Sequence, residues 1–147
     1  MFENLLRRLF DPAPAPLPPE DARLALAALL VRAARINDDY AAVQIDRIDR
    51  LLAARYGLAP EAAASLRDAA ETLEQEAPDT VRFTRAIKAA TDREDRIAEL
   101  EMLWEVILAD GLRDDEEAGF MRLAADLLGF TDRESALARQ RVASRDT

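Results

Sequence analysis

The sequence contains neither cysteine nor histidine. Without cysteine there is no thiol nucleophile, disulfide or thiolate metal site, and without histidine no Ser-His-Asp triad, imidazole proton shuttle or imidazole ligand. A bound metal must therefore be held by carboxylate, carbonyl or water oxygens, which selects hard ions such as Ca²⁺, Mg²⁺ or Mn²⁺. Long hydrophobic runs are missing too: no stretch approaches the roughly 18 apolar residues of a membrane-spanning helix. The opening MFENLLRRLF lacks the extended apolar segment and small-residue cleavage site of a signal peptide. A cytoplasmic protein is the expectation. Basic charge is in deficit, with 20 Lys and Arg against 29 Asp and Glu, for a formal net charge of -9. Such a surface repels phosphate backbones, so no nucleic-acid partner is expected; divalent cations or basic partners suit it better.

What is present suits one packed domain. The chain has 147 residues, half of them hydrophobic and a third charged. Residues 1–10 form a short amphipathic pattern, with Phe2, Leu5, Leu6 and Leu9 beside Arg7 and Arg8. Residues 11–19 carry Pro12, Pro14, Pro16, Pro18 and Pro19, which forbid helix and sheet and favour an extended tether. The first ten residues then have two open roles: docking on the protein itself, or peripheral contact with a membrane surface. The folded body is expected over residues 20–147.

Beyond the tether the chain is rich in Ala, Leu, Arg and acids, and β-branched residues never alternate with polar ones. The expected fold is all-α, a compact bundle of about seven helices. Residues 21–36 are almost wholly apolar apart from Arg23, Arg32 and Arg35, as a central buried helix requires. In residues 41–56, Ile45, Ile48, Leu52 and Tyr56 recur at helical spacing. Gly57-Leu58 reads as a left-handed cap, and Pro60 opens a helix over residues 60–76. Pro78 separates a shorter helix over residues 79–90, which carries Arg82 and Arg85 as surface pairs or a docking patch. Thr91 with Glu94, Asp114 with Glu117, and Thr131 with Glu134 each have the spacing of a capping box. Ile97, Leu100, Trp104 and Ile107 form one buried stripe, and Phe120, Leu123, Ala124, Leu127 and Leu128 another.

Residues 28–58 and 102–130 resemble each other. Each runs from an apolar helix through an acidic break and an amphipathic helix to a glycine followed by an apolar residue. Asn37 stands 20 positions before Gly57, and Asp110 stands 19 before Gly129. Two related helical hairpins could thus cover each other's apolar faces. The break in ILADGLRDDEE gathers Asp110, Asp114 and Glu117. If they converge, their mutual repulsion calls for a counter-charge, the case for a divalent cation. Helix capping explains Asp114 and Glu117 equally well. In the first copy the matching positions are Asn37, Ala41 and Gln44, with Asp38 and Asp39 alongside. Asn37 and Asp38 are therefore weaker candidate ligands. A metal-dependent hydrolase using Asp110, Asp114 and Glu117 is the alternative reading, although no glycine-rich phosphate loop or oxyanion hole accompanies these acids.

The segments ALLVRAARIND and LWEVILADGLRDDEEAGFMRLAADLLGF resemble the TerB-like family of bacterial proteins linked to tellurite resistance. The likeness spans residues 21–142, and its most specific part is the L-W-E-V-x-x-A-D-G string with its trailing Glu. The resemblance implies a duplicated all-helical fold, acidic positions associated with divalent metals, and an interaction module with protein partners rather than an enzyme. Asp110, Asp114 and Glu117 fall on the family's acidic positions. Asn37, Asp38 and Gln44 depart from Asp, Gly and Glu in the first copy. Tellurite is an anion whose reduction uses thiols, so a cysteine-free, acidic chain would act through partners.

Overall fold

The computed structural model describes residues 19–36, 40–77, 79–109 and 115–145. The amphipathic start, most of the proline tether, Asn37, Asp38, Pro78, Asp110 and Asp114 lie outside them. Among the described residues all regular structure is helical, in seven helices: α1 Pro19–Ala34, α2 Ala42–Tyr56, α3 Pro60–Glu76, α4 Val81–Ala90, α5 Arg93–Leu108, α6 Asp115–Leu127 and α7 Asp132–Arg145.

Helix α1 is the hub because it is apolar all round. Ala25 to Val31, Ala33 and Ala34 are all buried, and α1 packs against α2, α3, α4, α5 and α6. Its small alanines allow close helix approach, while Leu26, Leu29 and Leu30 fill the gaps between neighbours. Its one strongly polar inner residue, Arg32, serves α3. The guanidinium donates to the Glu74 carboxylate at 3.0 Å and to the Glu74 and Ala77 carbonyls at 2.9 Å each. It thereby satisfies carbonyls that the end of α3 would leave unpaired. Arg35 adds a second ion pair to Glu74 at 3.2 Å and lies over the Tyr40 ring.

The two repeated segments end identically. Gly57 and Gly129 have φ of 63° and 96°. The next residue reaches back five positions each time: the Leu58 amide to the Ala53 carbonyl at 3.0 Å, and the Phe130 amide to the Ala125 carbonyl at 2.8 Å. Only a left-handed residue lets the chain close this way, which is why glycine stands at both places. The hairpins α1–α2 and α5–α6 pack reciprocally, α1 on α5 and α6, and α5 on α2.

Three expectations are corrected. Thr91 does not cap α5; Asp92 does, accepting from the Asp95 amide at 2.9 Å. The Thr91 hydroxyl is already committed to the Ile87 carbonyl at 2.6 Å. On α2 the buried row is Gln44, Ile48 and Leu52, leaving Ile45 half-buried. On α6, Leu123 is 48% exposed and Leu127 half-buried, while Met121 and Ala125 turn inward. The packing surface of α6 is Glu117, Phe120, Met121, Ala124, Ala125 and Leu128, rotated by part of a turn from the stripe that leucine spacing suggests. The box at Thr131 and Glu134 forms as expected, with reciprocal bonds of 2.9 and 3.1 Å.

Candidate functional site

Of the five residues expected to hold a cation, Glu117 alone lies among the described residues, and it is 2% exposed. It is the third residue of α6, in the first turn, where the helix dipole favours negative charge. Among the described residues no cluster of three potential metal-ligating side chains forms.

The first-copy counterpart, Gln44, is also the third residue of its helix and is fully buried. Its side-chain carbonyl accepts from the Ala41 amide at 3.3 Å, and its side-chain amide donates to the Val106 carbonyl at 3.4 Å. Val106 lies in the last turn of α5, the helix that leads to Asp110. The first hairpin thus reaches into the end of the second. Arg47 and Glu105 join the same two helices at 3.4 Å. A neutral glutamine suits a place with this many partners already, because an amide donates and accepts together whereas a carboxylate only accepts.

Helix α5 carries two further acids that sequence reasoning missed. Glu101 is buried and held from α7 by Arg141 at 2.9 Å and by Arg145. Glu99 is 2% exposed and paired with Arg55 at 3.3 Å. Burial, only partly offset by Arg55, pushes the Glu99 carboxyl up from 4.5 to about 7. Their only sequence signal is that both stand within the run of apolar residues from Ile97 to Leu108. Trp104, expected in the core, is buried there, and its indole N–H donates to the Ser135 hydroxyl of α7 at 3.2 Å.

The all-helical hairpin pair, closed by matched glycine caps, is the architecture against which relatives can be sought. A family model described as tellurite resistance protein TerB matches residues 23–140. The chain belongs to the TerB family. That match takes in all the helices except the first residues of α1 and the last of α7, and it includes Gln44, Glu99 and Glu117. Comparison with curated proteins and with solved structures gives no match. No described helix is long and apolar enough to cross a membrane.

Proposed function

We propose that this TerB-family chain is a non-enzymatic, cytoplasmic helical module that binds other proteins and holds one hard divalent cation, Ca²⁺, Mg²⁺ or Mn²⁺, where α5 gives way to α6. Glu117 supplies the inner ligand, with Asp110 and Asp114 as its partners. The observation that carries this reading is the burial of the Glu117 carboxylate in the first turn of α6. A buried carboxylate needs compensating partners, and the helix N-terminus is one of them. The oxygen ligands this chain has available suit a hard divalent ion as a further one. The first-copy position holds neutral Gln44, already spent on Ala41 and Val106. One site is therefore expected, not two. A cysteine-free chain of net charge -9 is poorly suited to reducing tellurite itself, so any part in resistance runs through partners.

The test is thermal unfolding of the full chain in graded Ca²⁺, Mg²⁺ and Mn²⁺. Binding to the native state raises Tm by mass action, and Glu117→Gln and Asp110→Asn should abolish the rise. Gln44 already occupies the equivalent buried position, so Glu117→Gln is expected to fold. If wild type shows no rise with any of the three ions, the cation site is refuted. Reduction of tellurite by the purified chain would refute the partner-mediated role.

A further inference from the structure

A cleft of about 200 Å³ opens between α6 and α7, with Trp104 of α5 among its walls. Ala118 of α6 and Ala136 of α7 line it with methyl groups only, so neither helix fills the space. Whole small-molecule ligands generally occupy roughly 300–1,000 Å³. This cleft suits a single inserted side chain instead.

The Trp104 indole is held in place, its N–H donating to the Ser135 hydroxyl at 3.2 Å. Arg139 of α7 lies over the same ring, 5.9 Å from its centroid and within cation–π reach. Among the described residues most arginines hold a carboxylate in an ion pair, as Arg32, Arg47 and Arg67 do. Half-buried Arg139 has the indole alone, although acids outnumber bases 29 to 20 in this chain. Across the cleft Arg122 of α6 reaches Asp132 at 3.9 Å, and their side chains are 75% and 78% exposed. A pair that long and that exposed contributes little. Two guanidinium groups thus border the cleft, and neither is neutralised at close range.

The net charge of -9 favours basic partners for the molecule as a whole. Salt screens exposed charges beyond about 8 Å, however, so the cleft presents its own local sign. An arginine already stacked on an aromatic ring can offer its N–H edge to a carboxylate with little further ordering. Arginine and tryptophan are also the types that dominate binding energy in protein interfaces. We infer that this cleft receives one acidic side chain, glutamate or aspartate, from a partner protein. The carboxylate sits between Arg139 and Arg122, and the aliphatic stem lies against Ala118 and Ala136. This names the partner's chemistry for the protein-binding role proposed above, on which it rests, and it does not involve the cation site.

The chain's single tryptophan borders the cleft and serves as its reporter. Three blocked peptides, with glutamate, glutamine or arginine between leucines, are titrated into the full ¹⁵N-labelled chain. The glutamate peptide is expected to give a saturable shift of the Trp104 indole N–H. The glutamine and arginine peptides should bind about tenfold more weakly, as loss of one charge-assisted contact implies. Arg139→Gln removes the charge and should bring the glutamate peptide down to the level of the glutamine one. Arg122→Gln, at an exposed position, does the same test if Arg139→Gln loses its helical circular dichroism. Asp132→Asn removes the competing carboxylate and should tighten the glutamate peptide, which a merely structural role would not do. Absence of a saturable indole shift with the glutamate peptide overturns the assignment. So does equal binding of the glutamine or arginine peptide, full affinity in both arginine variants, or failure of Asp132→Asn to tighten binding. The rise in Tm with divalent cations is measured without peptide, so either result can fail while the other stands.

Discussion

Arg32 on the central helix closes the C-terminal end of α3 through Glu74, binding both its carboxylate and its backbone carbonyl. Both side chains are largely buried. The same guanidinium also stacks on Phe83 of α4, 5.0 Å from the ring centroid. One side chain therefore ties three helices together. Arg32→Met keeps the volume of the stem but leaves Glu74 with Arg35 alone and two carbonyls unpaired. It is expected to cost about 2–4 kcal/mol, read as a lower midpoint in urea with an unchanged slope.

Glu99 makes stability depend on pH in the direction opposite to an ordinary salt-bridged acid. Its carboxyl is pushed up from 4.5 in the unfolded chain to about 7 when folded, chiefly by burial. Between those values the native state holds a proton that the unfolded state has released. The stabilisation is complete below 4.5 and is lost as pH rises through 7. Glu99→Gln cannot ionise and should remove this loss. At pH 8 it is expected to be more stable than wild type by up to about 3 kcal/mol, and by much less at pH 4.5. Equal differences at both pH values would contradict the shift.

Gly57 and Gly129 close equivalent turns, yet they should tolerate replacement unequally. An added Cβ meets nothing within 4 Å at either place, so the cost is purely torsional. Gly57, at φ 63°, lies in the left-handed well, whereas Gly129, at φ 96°, lies well outside it. Gly57→Ala is expected to cost about 1 kcal/mol and Gly129→Ala about 2 kcal/mol. Gly57→Asn should be nearly silent. Equilibrium unfolding of the three variants provides the ranking.

The bond from Trp104 to Ser135 pins α7 to α5 at the chain's single tryptophan. Ser135→Ala leaves a buried indole N–H without its acceptor, at an expected cost of about 1–2 kcal/mol. The native emission of Trp104 should shift to the blue as that bond is lost, whereas a change confined to the far side of α7 would leave the spectrum unmoved.

The segmentation was legible because its signals are local. Pro60 opens α3 where expected, and Gly57 and Gly129 end their helices with the same five-residue bond. Thr131 and Glu134 form their box with the Thr131 hydroxyl and one Glu134 oxygen, while the other Glu134 oxygen pairs with Arg93. Thr91 failed at the same task because the preceding helix had already claimed its hydroxyl. Helix faces were less legible than helix ends. On α6 leucine spacing pointed to Leu123, but the neighbours of α6 sit nearer Met121 and Ala125, and a helix turns its face toward what it packs on.

The two acids on α5 mark the deeper division. Hydropathy puts Glu99 and Glu101 in water, yet both are buried, because Arg55, Arg141 and Arg145 arrive from positions 40 to 44 residues away. By itself the sequence determined what short-range chemistry dictates: an all-helical chain, its caps, an α1 too apolar to lie anywhere but the centre, and oxygen as the only available metal ligand. Tertiary structure alone decided which charged groups would be stripped of water and which partners they would meet. Desolvation belongs to the packed arrangement and has no counterpart in the order of residues along the chain.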